Sequence, residues 1–312
     1  MTSQAGYQID EPDFAGFVDT DAPPEQLCTG FIWTEGPVWF AETETLLFSD
    51  IPNNRIMQWT RSQGATEFLN PAEFTNGHIR DHDGRLVSCE HGGRRVIRRL
   101  KDGTVEVIAD NYQGKRLNSP NDLVMASDGA VWFTDPPYGI ASSVEGYKAK
   151  SELGNNYVFR VDPHSGDVAI VADDFDKPNG LAFSPDEKIL YVADSGAIMG
   201  AHDPNFNADA PHHIRAFDVV DGRTLANGRL FVDIEPGVPD GLRVDTLGFV
   251  WTSAADGVHC YAPDGALYGK ILLPEVVANL TFGGPDGSYM FIAASTSIYG
   301  VATTRRGASE RR

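Results

Sequence analysis

Short apolar runs, each closed by turn residues, recur along the whole chain: LLFSD, RLVSCE, AVWFTD, ILYVAD, FVWTSA and YMFIAA. They are rich in β-branched and aromatic side chains, which suits strands on a half-buried surface. No long window holds the 3.6-residue periodicity of an amphipathic helix. The pattern predicts a nearly all-β chain.

Six segments repeat one order: a polar opening residue, an apolar stretch, a turn often containing Asp-Gly, and a second apolar strand. They open at Glu35, Asn76, Asn121, Asn179, Asp240 and Asn279. The distance from opening residue to second-strand end is 14 or 15 residues in every case, as in Glu35–Asp50, Asn76–Glu90, Asn121–Asp135 and Asn179–Asp194. Two weaker strands follow each hairpin, as in NYVFRVD and DVAIVAD. Four strands in each of six units predict one domain over 1–312, a six-bladed β-propeller with four-stranded antiparallel blades around a central channel. Residues 1–20 read as a loosely held N-terminal arm and 305–312 as a flexible tail. The two longest repeats carry insertions, YGIASSVEGYKAKSELGNN and SGAIMGAHDPNFNADAPHH, which map to loops on one face.

The first strand of a propeller blade lines the channel, so the six opening residues converge on one axis. All six are carboxylates or carboxamides. Turn chemistry accounts for Asn-Gly and Asp-Gly, but poorly for Glu35, Asn121-Asp122 and Asn279-Leu280. A ring of oxygen donors with two carboxylates, Glu35 and Asp240, instead suits one hard divalent cation. Calcium comes first, with zinc, magnesium, manganese and iron(II) as the other ions considered. His78 shares the channel face with Asn76 by strand alternation, and His91 falls near the channel mouth. His212 and His213 read as exposed loop residues. Asp50, Glu90, Asp135 and Asp194, at the second-strand ends, read as partners of backbone or turns.

Composition narrows the partners. The 312 residues are 41% hydrophobic, and Gly 32 with Pro 19 supply the turns. A formal charge of −19 repels phosphate backbones, so neither nucleic acid nor an anionic membrane is an expected partner. Cys28, Cys89 and Cys260 are far apart and lack metal-ligand or redox spacing. MTSQAGYQIDEPDF has no basic and apolar leader pattern, so a cytoplasmic protein is expected. The oligomeric state is open between monomer and homodimer. GxSxG, HExxH, GxxxxGK[ST] and GxGxxG are all absent. Ser195 therefore lacks the elbow of a serine hydrolase.

Four stretches, EGPVW at Glu35, NSPNDL at Asn121, PNGLAFS at Asn179 and PDGLRVD at Asp240, resemble the senescence-marker protein/gluconolactonase/luciferin-regenerating (SMP-30-like) family. NGHIRDHDGRL, CEHGGRRV and FTDPPYGI are similar to its microbial gluconolactonase branch. The resemblance implies a metal held by Glu35, Asn179 and Asp240, with Asn121 on metal or substrate and Asp240 as catalytic base or nucleophile. Animal members carry a sugar-holding arginine two residues before the Asn121 position; here it is Ser119. The implied activity is metal-dependent opening of sugar (aldono-) lactones such as glucono-1,5-lactone. Asn76, His78, Asn121 and Asp122 are candidates for holding substrate hydroxyls. Alternatives are a phosphotriester hydrolase on the same scaffold, a non-catalytic calcium-binding propeller, and a strictosidine-synthase-like propeller, whose apolar channel Glu35 and Asp240 oppose.

Overall fold

The computed structural model describes residues 2–4, 6–198, 207 and 209–308, with side chains from Gly6 onward. Six antiparallel sheets follow one another in chain order around an axis. Their innermost strands are Thr34–Phe40, Thr75–Arg80, Leu123–Met125, Pro178–Phe183, Leu242–Val244 and Val277–Gly283. We number the blades one to six in that order. Each inner strand begins at, just before or just after the opening residue of a repeat, so the repeat register is the blade register. Among the described residues, helix is confined to a single α-turn, Tyr138–Ala141, and two short 3₁₀ turns. Among the described residues no helix is long and apolar enough to cross a membrane.

Blade 6 is completed by a strand from the other end of the chain. Glu25–Thr29 pairs antiparallel with Ser297–Ala302, closing the ring. The described residues of the 1–20 segment depart from the loose arm expected of them. Tyr7–Ile9 adds to the outer edge of blade 5 against Leu267–Leu272, and Thr2–Gln4 pairs outside it. Tyr7, Phe14 and Val18 are buried in the same core as Trp251, Phe282 and Met290. That apolar area outweighs the cost of ordering an otherwise acidic segment.

The tail likewise holds down over Arg305–Ala308, and the last four residues lie outside the described ones. Arg305 Nε donates to Asp245 Oδ2 at 2.8 Å, and its guanidinium lies over the rings of Phe17 (4.4 Å) and Phe249 (5.0 Å). Arm, tail and blade 5 therefore share one buried ion pair. Of the two insertions, the first carries the Tyr138–Ala141 turn. The second lies partly outside the described residues, at 199–206 and 208.

Where the inner strands reach the channel their pairing breaks register, between Glu35 and Val38, Thr75 and His78, Pro178 and Leu181, and Val277 and Asn279. These bulges push one backbone against the next blade. A side chain at Gly36 (φ +54°) would run into the Asn76 carbonyl, and one at Gly180 into that of Asp240. The Gly180 N–H bonds the Asp240 carbonyl at 3.0 Å. The glycine after the opening residue is thus a blade-to-blade contact, not a hairpin turn.

Candidate active site

The structure buries all six opening residues, none more than 8% exposed. Asn279 Nδ2 reaches across the axis, donating to Glu35 Oε2 at 2.9 Å and to Asp122 Oδ2 at 3.3 Å. Glu35 Oε2 also accepts the Gly36 N–H at 2.6 Å. Asp122 Oδ1 accepts the Leu123 N–H at 2.8 Å, and its Oδ2 lies 3.6 Å from Arg243 Nη1. Asn179 hydrogen-bonds the Asp240 carboxyl and donates to the Tyr138 hydroxyl at 3.4 Å. The Asp240 backbone N–H is fixed by Ser253 Oγ at 2.8 Å.

Burial and neighbouring negative charge favour the acid forms of Glu35 and Asp240. Burial, then the Asp122 charge, pushes Glu35 up to about 8, against its bonds to Asn279 and Gly36 and the field of Arg243. Burial raises Asp240 well above the usual carboxylate range, with further contributions from Glu35, Asp122 and Glu145. Burial and Asp240 keep the Tyr138 phenol protonated.

The other sequence candidates divide. His78 is fully buried with both ring nitrogens engaged, Nε2 with Ser49 Oγ at 2.9 Å and Nδ1 with Ser88 Oγ at 2.7 Å. Burial lowers it to about 3, a neutral ring stapling three strands. Asn76 Nδ2 meets His91 Nε2 at 3.3 Å, and His91 Nδ1 meets the Glu145 carbonyl at 3.1 Å. His91 is lowered to about 4 by burial, so Nδ1 carries its hydrogen and Nε2 accepts from Asn76. Ser195 Oγ donates to the Pro239 carbonyl at 2.6 Å, which holds the strand before Asp240.

Asp240 also faces a cavity of about 890 Å³, walled by Trp33, Ile198, Val238 and Val276 among others, with His212 and Glu235. His212 is therefore a cavity residue and not simply an exposed loop residue. The SMP-30/gluconolactonase/LRE-like family model matches residues 33–296, which span every channel residue named above.

The chain belongs to the SMP-30/gluconolactonase/LRE-like family.

Within that family the chain is 34% identical to the gluconolactonase of Zymomonas mobilis, over 95% of this chain and 85% of the relative. It is 31% identical to the lactonohydrolase oryL of Aspergillus oryzae, over 81% of this chain and 63% of that protein. The solved gluconolactonase of Xanthomonas campestris superposes with a TM-score of 0.86 at 36% identity, covering 96% of this chain and 95% of that one.

One expectation is overturned. Among the described residues no three His, Cys, Asp or Glu side chains gather where they could hold a metal ion. The calcium site, with its zinc, magnesium, manganese and iron(II) alternatives, and the metal-ligand roles of Glu35, Asn121, Asn179 and Asp240, are corrected accordingly. Of the oxygen donors counted on the sequence, Glu35 is bound through Oε2 to the Gly36 N–H and to Asn279, and the neighbouring Asp122, not among them, is held by the Leu123 N–H and Arg243. Protonation and Arg243 do the neutralising assigned to a dication. Arg243 and Tyr138 are the residues sequence reasoning missed. Arg243 sits inside the quoted PDGLRVD, where a basic residue three places after Asp240 was a readable signal.

Proposed function

We propose that this enzyme, a hydrolase of the lactonase type, opens lactones at the Asp240 end of the channel, with aldonolactones such as glucono-1,5-lactone as substrates. The observation that carries the reading is Asp240 itself: a buried carboxyl with raised proton affinity, fixed by Asn179 and Ser253, at the edge of a ligand-sized cavity.

In the chemistry we propose, ionised Asp240 takes a proton from a water as its oxygen adds to the lactone carbonyl carbon. A carboxylate of raised proton affinity is a better base than a solvated one. Donors from the Asn121 carboxamide and the Tyr138 hydroxyl stabilise the oxyanion. With Asn179 donating to the phenol oxygen, the phenol keeps its own proton for the carbonyl. The acyl carbon–ring oxygen bond then breaks, and the proton on Asp240 passes to the departing alkoxide. The product is the open hydroxy acid. Asn76 is retained as a hydroxyl contact, whereas His78 and Asp122 support the channel wall through the bonds described above.

The test is glucono-1,5-lactone hydrolysis in a pH-stat, with spontaneous opening subtracted. A catalysed rate that rises with pH as Asp240 ionises is expected. No rate above background on hexono- and pentonolactones would overturn the proposal.

A further inference from the structure

The cavity beside Asp240 is lined mostly by apolar surface. Trp33, Ile198, Pro236, Val238, Val276 and Val277 form its walls, and Val276 stands exposed at 44%. Its polar groups lie at opposite extremes of burial. Asp240 is 8% exposed, whereas His212 and Glu235, 3.9 Å apart, have side chains 32% and 84% exposed. About 890 Å³ falls within the range of roughly 300–1,000 Å³ that encloses drug-sized ligands, and one six-membered lactone ring leaves most of it empty.

A polyol lying along these walls would set its hydroxyl donors against hydrocarbon with no partner, which costs their desolvation. A hydrocarbon chain would gain by the same burial. We infer that the site's preferred lactones carry an alkyl chain on the ring carbon next to the ring oxygen. The carbonyl lies at Asp240 and the chain along Trp33, Val238 and Val276. The inference rests on the lactonase reading and narrows its substrate class. The bonds made and broken are those of the hydrolysis above; the chain contributes only binding.

The experiment compares kcat/KM of the full-length protein for δ-decalactone, δ-valerolactone and glucono-1,5-lactone. Each buried methylene adds roughly fourfold, so δ-decalactone is expected at least about tenfold above δ-valerolactone. Trp33→Ala and Val276→Asp should each shrink that ratio severalfold. Val276 is well exposed, so its substitution leaves the core packing intact if Trp33→Ala fails to fold. Equal values for δ-decalactone and δ-valerolactone, a value for glucono-1,5-lactone above that for δ-decalactone, or a ratio unchanged in Val276→Asp, would overturn the inference while leaving the lactonase reading standing. Failure to hydrolyse any of the three would overturn that reading, and this inference with it.

Discussion

Four of the six hairpins, those ending at Asp50, Glu90, Asp135 and Asp194, have a polar residue at both ends, and the two ends bury their carboxylates in opposite ways. At the second-strand ends, Asp50 accepts from the Ile32 N–H at 3.0 Å, the Asn53 carboxamide at 2.8 Å and Arg55 Nε at 3.0 Å. Asp194 takes the N–H groups of Asp176 and Lys177 at 3.0 and 2.9 Å. Glu90 takes Arg95 at 2.5 Å. These groups anchor the turns and loops beside their own strands. At the opening ends, Glu35, Asp122 and Asp240 repel one another, and Asp240 opens onto a cavity. A buried carboxylate saturated by its own loop serves architecture. One crowded by like charge beside empty space is available for chemistry. Asp135 stands between the two. One oxygen accepts the Asn118 N–H at 2.7 Å, the other has no partner among the described residues, and burial pushes it up to about 7.

The comparison breaks most visibly in stability. Asp50→Ala leaves Arg55 and the Ile32 N–H without their partner and should cost about 3–5 kcal/mol in urea unfolding. A loss below about 1 kcal/mol would remove the architectural role.

Asp135 gives the next effect. Its folded pKa lies above the ordinary 3.8, so the folded state holds the proton more tightly. That contribution is complete below about pH 4 and is lost as pH rises to about 7. Wild type should lose roughly 3 kcal/mol across that window relative to Asp135→Asn, measured by unfolding at pH 4 and 7. Parallel pH profiles would contradict it.

Glu35→Gln tests the other end of the hairpin. Relief of repulsion should leave it within about 1 kcal/mol of wild type, or more stable, since a carboxamide keeps the shape and an acceptor oxygen. Clear destabilisation would place Glu35 with Asp50. The smallest effect is expected from Ser195→Ala, which removes the bond to the Pro239 carbonyl and a hydrogen bond to Tyr138. Lactone turnover should fall less than about tenfold, whereas loss of a nucleophile costs many orders of magnitude.

Much of this was readable from the chain because blade geometry fixes the hairpin offset. Any sequence that keeps 14 or 15 residues between equivalent positions six times declares its register, and with it the axis. The arm was not readable. Tyr7, Phe14 and Val18 lie outside the repeated hairpins and sit among acidic residues, so only their docking on blade 5 reveals them as core. The metal expectation failed for a related reason. Counting oxygens at equivalent positions does not say which are already bonded, and Glu35 and Asp122 find their partners in Asn279 and Arg243, far away in sequence. The cavity walls come from separate loops around Trp33, Ile198, Pro236 and Val276, and no local motif announces such an assembly.

The central claim is that Asp240 carries the hydrolysis. Its most direct test is glucono-1,5-lactone turnover by wild type and Asp240→Asn side by side, with unfolding curves for both. The account predicts a variant that folds at least as stably as wild type, since repulsion from Glu35 and Asp122 is relieved, and that loses at least about a thousandfold in kcat. A folded Asp240→Asn that retains wild-type turnover would contradict it.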